Sequence, residues 1–502
     1  MKNLKRRLEL YEQLFRTFGP GESLCQISQL ASLWQVSDRY VFTLLKSFEA
    51  SNWISWQASS GRHKKAALTC LIEPIEACHQ LAQPLAELGQ IETLFNTLSF
   101  GGRQAGHELQ VFLNETHRRL KRVVLIPFHR RIEPLHPHRV LRRTERFLVT
   151  QIYQRLTRVV DGELIGDLAF HWQANTSGTQ WYFQLRHEVQ FHDGRNLSAS
   201  DVVRCLEALV NSDAWSSSYQ HIASISAPTD STVQITLNQT DWHLPRLLAR
   251  AETSVFRVYS SGAFTGSGAF TGSGAFSLDV FSSNMLRLRR NTSYTYQVSI
   301  LDRIELWFYP EWAPQKACAH NQIRVQLPET TIKHALPDCA TFMLIQSGSQ
   351  TTTDPHLVVE DTTESKQLGQ QIAAPNDPII TIPYGHYRAT PCSTVCSIIE
   401  ENDPYSAWLI FLMRYPFRCS MLSTETLSQL HHHLRAIRQE SDFSRSQVLL
   451  SRLIDGLCEQ GVITILKQEP FVLELSERLQ GCQINGYGWC ELNTLWPKDI
   501  RG

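Results

Sequence analysis

Apolar residues recur every three or four positions at the start of the chain. Leu4, Leu8, Tyr11 and Leu14 follow this spacing, which predicts an amphipathic helix. The segment Gly19-Pro20-Gly21 cannot continue a helix, because glycine and proline both disfavour helical backbone. The pattern therefore predicts one helix that ends before residue 19.

Two shorter helical patterns follow, over Ile27–Trp34 and Asp38–Ala50. Ser37 stands at the N-cap position of the second. Ala31 lies where two crossing helices need a small side chain, whereas Gln35 replaces the usual turn glycine. This arrangement predicts a helix-turn-helix.

A basic hairpin follows the second of these helices. Residues 53–56 and 66–69 have the composition of two short strands, and the segment that joins them contains one arginine, one histidine and two lysines. A cationic hairpin after a helix-turn-helix predicts a winged helix that binds DNA. The expected DNA contacts are Ser37, Asp38, Arg39, Tyr40, Thr43, Lys46, Arg62, His63, Lys64 and Lys65.

The periodicity changes twice more along the chain. Residues 73–120 keep a helical pattern with a break at Gly101-Gly102, which predicts a helical linker. From Val123 onwards, strands alternate with helices, as in an α/β domain. One strand is expected over residues 179–185, followed by a turn at Asp193-Gly194.

Composition and charge narrow the class of protein. The 502 residues are 42% hydrophobic and 19% charged, and no apolar run is long enough to cross a membrane. The basic N-terminus lacks the apolar core of a secretory signal, so we expect a cytoplasmic protein. Net charge is zero, but residues 1–146 carry about 21 Lys and Arg against about 13 Asp and Glu. That excess indicates a polyanionic partner for the N-terminal part.

The sequence offers little for catalysis or metal binding. Cys392 and Cys396 are the only close pair among 12 cysteines, and three consecutive histidines at 431–433 point in different directions on a helix. No nucleophile elbow or phosphate loop is present. We therefore predict no enzyme, metal or cofactor, and we interpret His192-Asp193 as part of a scaffold.

The large domain resembles the family 5 extracellular solute-binding proteins, which bind oligopeptides and dipeptides. The likeness lies in the segment from Leu185 to Val203, with its His192-Asp193-Gly194, and in the glycine-rich segment 272–276. The tract 260–277 contains Gly-Ala-Phe three times, and one copy is expected to form the family's crossover segment.

A winged helix before such a domain resembles the SgrR-type transcriptional regulators, and the ending from Leu479 to Trp496 is similar to theirs. The expected fold class is therefore multidomain: an α+β winged helix-turn-helix over residues 1–72, the linker over 73–120, and a two-lobed α/β periplasmic-binding-protein-like domain of type II over 121–502. The first lobe would comprise residues 121–290 and 465–502, and the second residues 291–464.

The resemblance implies a DNA-binding regulator, more an activator than a repressor, that senses a small solute. A sugar phosphate, a sugar and a peptide are the candidate solutes, promoter DNA is the expected partner, and a homodimer stays open. Two alternatives stay open as well: a periplasmic transport receptor, and a regulator whose large domain only dimerises. The residues expected to contact the solute are Trp172, Tyr384, His386, Arg388 and Trp489.

Overall fold

The computed structural model of the chain divides into two compact units, residues 1–121 and 122–502. No helix in the described part of the chain is long and apolar enough to cross a membrane. The structure describes residues 4–57, 65–119, 122–128, 130–258, 270–308, 323–324, 331–346, 357–374, 378–386, 392–414 and 422–498.

The first unit is a winged helix extended by three helices. Its three-stranded antiparallel sheet has the order β1-β3-β2. The elements are α1 (Leu4–Phe18), β1 (Gly21–Cys25), α2 (Ile27–Trp34), α3 (Asp38–Ala50), β2 (Ile54–Gln57), β3 (Ala66–Cys70), α4 (Pro74–Glu87), α5 (Ile91–Leu98) and α6 (Ala105–Arg119).

Aromatic side chains join the helices of the winged helix to its sheet. The ring of Trp53 stacks on Phe48 at 5.5 Å and lies 5.1 Å from Tyr11. The Tyr11 hydroxyl donates to the carbonyl of Trp53 at 2.9 Å, and the indole N–H of Trp34 donates to the carbonyl of Leu10, also at 2.9 Å. These bonds satisfy the polar ends of large rings that are otherwise buried.

The helices of the predicted linker pack on α1. The Arg103 guanidinium lies 2.8 Å from the Glu12 carboxylate, and the Trp53 indole N–H donates to Gln80 at 3.1 Å. Helices α4–α6 thus belong to the same compact unit as the winged helix. A functional division at residue 72 stays a prediction.

The second unit contains three main sheets, with strand orders β7-β8-β10-β9, β13-β14-β15-β4 and β16-β21-β17-β20-β18-β19. Its elements are β4 (Val123–Phe128), α7 (Arg143–Ile152), β5 (Thr157–Val160), β6 (Glu163–Gly166), β7 (Ala169–Ala174), β8 (Gln180–Leu185), α8 (Ala199–Val210), α9 (Ser216–Tyr219), β9 (Ile222–Thr229), β10 (Thr232–Leu237), α10 (Leu244–Leu247), β11 (Arg257–Val258), β12 (Phe270–Thr271), β13 (Phe276–Phe281), β14 (Met285–Arg290), β15 (Arg303–Phe308), β16 (Ile323–Arg324), β17 (Thr331–Ile345), β18 (Leu357–Glu360), α11 (Thr363–Ile372), β19 (Ile379–Ile382), β20 (Thr394–Ile399), α12 (Pro404–Met413), α13 (Thr424–Gln439), α14 (Phe443–Glu459), β21 (Ile463–Ser476), β22 (Leu479–Gln480) and β23 (Trp496–Pro497).

Strand β15 ties the chain beyond residue 290 to the sheet that contains β4. It pairs in parallel with β4, from Arg303 opposite Val123 to Phe308 opposite Phe128. The sheet β13-β14-β15-β4 therefore extends to Phe308. This residue lies past residue 290, where the sequence analysis ends the first segment of the first lobe.

The His192-Asp193 turn holds the glycine-rich crossover segment in place. The His192 backbone N–H donates to Gly272 at 2.7 Å, and its ring Nε2 lies 3.1 Å from the carbonyl of Gly274. A carbonyl can only accept, so Nε2 carries the proton. A Cβ atom at Gly274 would lie 2.5 Å from the carbonyl oxygen of Gln151, which is too close for any side chain. The third Gly-Ala-Phe copy therefore occupies the crossover position.

Candidate functional site

The exposed face of α3 carries a row of polar side chains. Val41, Leu44, Leu45 and Phe48 are buried in the unit, whereas Arg39, Thr43 and Lys46 recur on the opposite face and are exposed. Spacings of four and three residues place such side chains on one side of a helix. This face has the length and chemistry to contact base edges in a major groove and the phosphates that border it.

Two aromatic residues flank this polar row. Tyr40 is 47% exposed and Phe42 is 46% exposed, although the same helix buries its other large apolar residues. Sequence reasoning included Tyr40 but missed Phe42, because its position follows the buried Val41 and its type suggests a core residue. An apolar side chain beside a DNA-reading row can contact the methyl group of thymine.

The start of α3 is set by its backbone more than by its cap side chain. The carbonyl of Ser37 accepts from the backbone N–H groups of Tyr40 and Val41 at 2.9 and 3.0 Å, but its hydroxyl makes no cap hydrogen bond. Asp38 is exposed in the first turn, where its negative charge interacts favourably with the positive end of the helix dipole. Gln35 adopts a left-handed backbone with φ of 52°.

The predicted wing is described at its base. Strands β2 and β3 pair in antiparallel register from Ile54 opposite Cys70 to Gln57 opposite Ala67, which makes a hairpin. Lys65 is exposed at the start of β3. Arg62, His63 and Lys64 lie outside the described residues, so their DNA contacts stay predictions.

A cavity of about 510 Å³ opens in the second unit between α7 and α11, and we call it the α7–α11 cavity. Phe128, Arg142 and Arg143 line one side, and Thr362 and Tyr384 belong to the other. Its residues come from segments more than 200 positions apart in the chain. Such a concave site with a few convergent polar groups is typical of a small-molecule site.

Charged groups set the electrostatics of this cavity. Arg130 and Glu145 form a two-pronged ion pair, with distances of 2.5 and 2.8 Å. The Arg142 guanidinium lies 3.6 Å from Asp361 and thereby joins the two walls. Burial and the charge of Arg130 lower the pKa of Arg143 to about 10, so Arg143 still carries its charge at neutral pH. The cavity thus presents cations to a solute.

A buried ion-pair network lies beside the cavity. Glu401 pairs with Arg146 and, at 3.4 Å, with Arg250, while Glu252 lies 2.7 Å from Arg250. The Tyr487 hydroxyl donates to Glu401 at 3.1 Å. Two arginines and two glutamates balance one another, and they connect α7 to the segment after β20.

The residues predicted to bind solute occupy different environments. Tyr384 lines the α7–α11 cavity, and burial raises the pKa of its hydroxyl. Trp489 is 1% exposed and stacks on Phe147 at 5.1 Å, so its ring packs in the core. Trp172 packs against the core beside β8, and His386 is exposed without lining this cavity. Arg388 lies outside the described residues.

Family models match both units. Residues 6–119 match the family "Sugar transport-related sRNA regulator N-term", and residues 163–334 match "Bacterial extracellular solute-binding proteins, family 5 Middle". The HTH-type transcriptional regulator SgrR of Escherichia coli K12 is 29% identical over 344 residues, which are 67% of this chain and 61% of that protein. Both parts of the chain are thus similar to the SgrR-type proteins. An N-terminal SgrR domain and a family 5 solute-binding domain agree with the fold class predicted from the sequence.

Other relatives have the same name. The HTH-type transcriptional regulator SgrR of Yersinia enterocolitica is 27% identical over 351 residues, which are 69% of this chain and 62% of that protein. The chain thus matches about three fifths of the length of these SgrR proteins.

Solved structures support the fold of the second unit. The periplasmic binding protein DppA of Helicobacter pylori, in complex with peptide STSA, aligns with a TM-score of 0.59 at 14% identity, covering 77% of this chain and 100% of that one. The murein tripeptide binding protein MppA of Escherichia coli aligns with a TM-score of 0.56 at 14% identity, covering 75% of this chain and 98% of that one. At this identity the likeness concerns the fold alone.

Proposed function

We propose that this SgrR-type protein is a cytoplasmic transcription regulator that binds promoter DNA through α3 and its wing and senses a small solute through its second unit. The observation that carries the proposal is the exposed row Arg39, Thr43 and Lys46 on the second helix of a helix-turn-helix. The names of its relatives agree with a role in transcription.

The solute is proposed to bind in the α7–α11 cavity. Arg142 and Arg143 offer cationic donors, and Tyr384 offers a hydroxyl and a ring face. These groups suit a solute with an anionic group, such as a sugar phosphate or the carboxylate of a peptide. The solute changes DNA binding only if it binds one state of the protein better than another.

DNA binding is tested by selecting a duplex from a random pool with the full-length protein, and then measuring affinity by fluorescence anisotropy. We expect Arg39→Ala and Thr43→Val to weaken binding to the selected duplex by about 1–3 kcal/mol and to relax base preference. Lys46→Ala is expected to lower the dependence of affinity on salt, because a phosphate contact releases counterions.

Arg204→Ala is the matched control, because Arg204 is an exposed arginine of α8, with 65% of its side chain accessible. It should leave affinity and base preference unchanged. If no duplex is selected, the hypothesis of a DNA-binding regulator is contradicted and a transport receptor is favoured. Cell fractionation would then show in which compartment the protein lies. If no solute that binds the protein changes its affinity for the selected duplex, the result would favour a large domain without a sensory role.

A further inference from the structure

A second cavity, of about 570 Å³, lies in the second unit and shares no lining residue with the α7–α11 cavity. Arg155 and Arg158, which follow α7, form part of its wall together with Tyr294 and Tyr296. We call it the arginine–tyrosine cavity. Its lining also contains Asn402 and Asp403, which follow β20.

The positive charge of Arg155 is only partly compensated. Its Nη2 lies 3.3 Å from Asp167, but its Nε and Nη1 are buried without a hydrogen-bond partner among the described residues. Asp167 reaches only Nη2 of this guanidinium, and it also accepts from the Gln154 side chain at 2.9 Å and from the Arg155 backbone N–H at 3.0 Å. A buried donor without an acceptor costs free energy, so its presence calls for an explanation.

Arg158 adds a second guanidinium at the same wall. Its Cζ lies 4.4 Å from the centroid of the Tyr296 ring, and the described residues offer it no ion pair or hydrogen bond. Arg186 lies on the same ring, at 5.0 Å, and donates from Nε to the Tyr296 hydroxyl. Two guanidiniums, those of Arg158 and Arg186, therefore lie against the ring of Tyr296.

The acidic side chains across the cavity are occupied elsewhere. Asp403 lies 3.2 Å from Arg246, and Glu401 belongs to the ion-pair network already described. Glu491 accepts from Gln151 at 3.2 Å and from Asn485 at 3.0 Å. None of these carboxylates, nor Asp161, the other acidic residue of the lining, pairs with Arg158 within the described ranges.

We propose that the arginine–tyrosine cavity is a second solute site, which binds a small molecule through a carboxylate or phosphate group. Arg158 makes the direct contact, because its terminal nitrogens are less deeply buried than those of Arg155. Arg155 lies deeper in the wall and adds electrostatic attraction, because burial reduces the screening of its charge by solvent. The rings of Tyr294 and Tyr296, 5.6 Å apart, offer faces for the apolar part of the solute.

This site goes beyond the proposed function, because it requires neither DNA nor the α7–α11 cavity. A carboxylate and a phosphate present the same oxygen acceptors to a guanidinium, so the structure assigns the shared chemistry. The two sources are separated by the choice of probe, with succinate for the carboxylates and inorganic phosphate for the phosphates.

The test measures the melting temperature of the full-length protein against increasing succinate or phosphate, with sodium chloride holding ionic strength constant. A site that binds the native state raises the melting temperature in a saturable manner. We expect at least one probe to do so, and we expect Arg158→Gln to weaken that probe by roughly tenfold or more. Arg158→Lys, which keeps the charge, should retain part of the affinity.

Two controls locate the effect. Arg204→Gln removes an exposed arginine from α8 and should leave the response unchanged, and Arg142→Gln removes a cation from the α7–α11 cavity. A response that survives Arg158→Gln but disappears in Arg142→Gln overturns the proposal, as does the absence of a saturable response to both probes. If Arg158→Gln does not fold, Arg158→Lys and Tyr294→Ala, which removes one ring face, provide the comparison, and an unchanged affinity in both overturns it.

Discussion

Gln35 occupies a backbone conformation that glycine adopts at lower cost. It ends α2 with φ of 52° and ψ of 50°, where a Cβ atom crowds the following carbonyl. The usual glycine is absent from this turn, yet the backbone N–H of Val36 still donates to Ala31 at 3.0 Å. The turn is therefore kept at the expense of local strain.

Gln35→Gly is expected to stabilise the first unit by up to about 1 kcal/mol, because it removes this strain. Urea unfolding followed by circular dichroism measures the change. Gln13→Gly in α1, at an ordinary helical position, should destabilise the same unit by about 1 kcal/mol. Destabilisation by both substitutions would contradict the assignment of strain to Gln35.

His192 makes the crossover segment sensitive to acid. Burial lowers the pKa of His192 from 6.5 to about 4, and its ring donates from Nε2 to Gly274. Between these pH values the unfolded chain binds a proton that the native chain does not. The contribution of His192 to the free energy of unfolding is therefore fully present above pH 6.5, and it falls as the pH decreases towards 4.

We expect the free energy of unfolding to fall by up to about 2 kcal/mol through His192 between pH 6.5 and pH 5. Half-buried His138, whose pKa is also lowered to about 4, adds to the same trend. His192→Asn should make the pH dependence less steep, as measured by urea unfolding at pH 7 and pH 5. An equal slope in the variant would show that His192 stays protonated or is solvated.

At the scale of elements, the sequence predicted the three helices of the winged helix, because each buries one regular stripe. It missed β1, whose Gly-Glu-Ser-Leu-Cys buries Cys25 but leaves Leu24 61% exposed. Such a strand has no alternating pattern, and it exists because β3 supplies partners from Gly21 opposite Cys70 onwards. Pairing with a distant strand is not visible in local periodicity.

Helix α3 offers a precise test of base contact at Phe42. Under the proposed DNA binding, Phe42→Ala is expected to weaken affinity for the selected duplex by about 1 kcal/mol, through loss of apolar contact with a thymine methyl group. Replacing thymines one at a time by deoxyuridine removes only that methyl group. One such position should weaken wild-type binding and leave the binding of Phe42→Ala unaltered.

If every thymine position affects both proteins equally, Phe42 does not contact a methyl group. Lys46→Ala serves as the comparison, because Lys46 is proposed to contact a phosphate. This variant should stay sensitive to deoxyuridine, while the salt dependence of its affinity for DNA falls.

The crossover segment is fixed by the close approach of its glycines to α7. Gly274→Ala would place a Cβ atom 2.5 Å from the Gln151 carbonyl, so we expect destabilisation by about 2 kcal/mol or more. Gly456→Ala is the matched control, because that glycine lies within α14 and has open space around it. The control should stabilise by roughly 0.5–1 kcal/mol, because alanine favours a helix. The melting temperature of Gly274→Ala should therefore lie below that of wild type, and that of Gly456→Ala above it.

At the scale of the whole molecule, the two-part organisation was predictable from changes in periodicity and from short motifs, whereas the cavities were not. The α7–α11 cavity joins Phe128 to Ile399, and no local pattern links such distant residues. Trp489 illustrates the difficulty, because an aromatic residue near glycines suits either a cleft or a core. Stacking on Phe147 decides its packing only once the fold is known.

Glu401 supports the second unit as a whole, since its carboxylate serves Arg146, Arg250 and Tyr487 together. Glu401→Gln is expected to cost about 3–5 kcal/mol, because it leaves two buried guanidiniums with one carboxylate. Urea unfolding measures this, and Glu459→Gln, at an exposed position that ends α14, should change stability by less than about 0.5 kcal/mol. Similar losses in both variants would mean that the network is solvated.

The anchored glycines bear on how the gene can change. Residues 261–266 and 267–272 have the same sequence, Ser-Gly-Ala-Phe-Thr-Gly, so loss of the six codons of one copy would keep the reading frame. Such a deletion leaves the residues of β12, Gly272 and Gly274 intact in sequence, and about five residues still join β11 to β12, a length that hairpins use. Isolates that differ in the number of copies should therefore share one fold and differ only in the length of this connection.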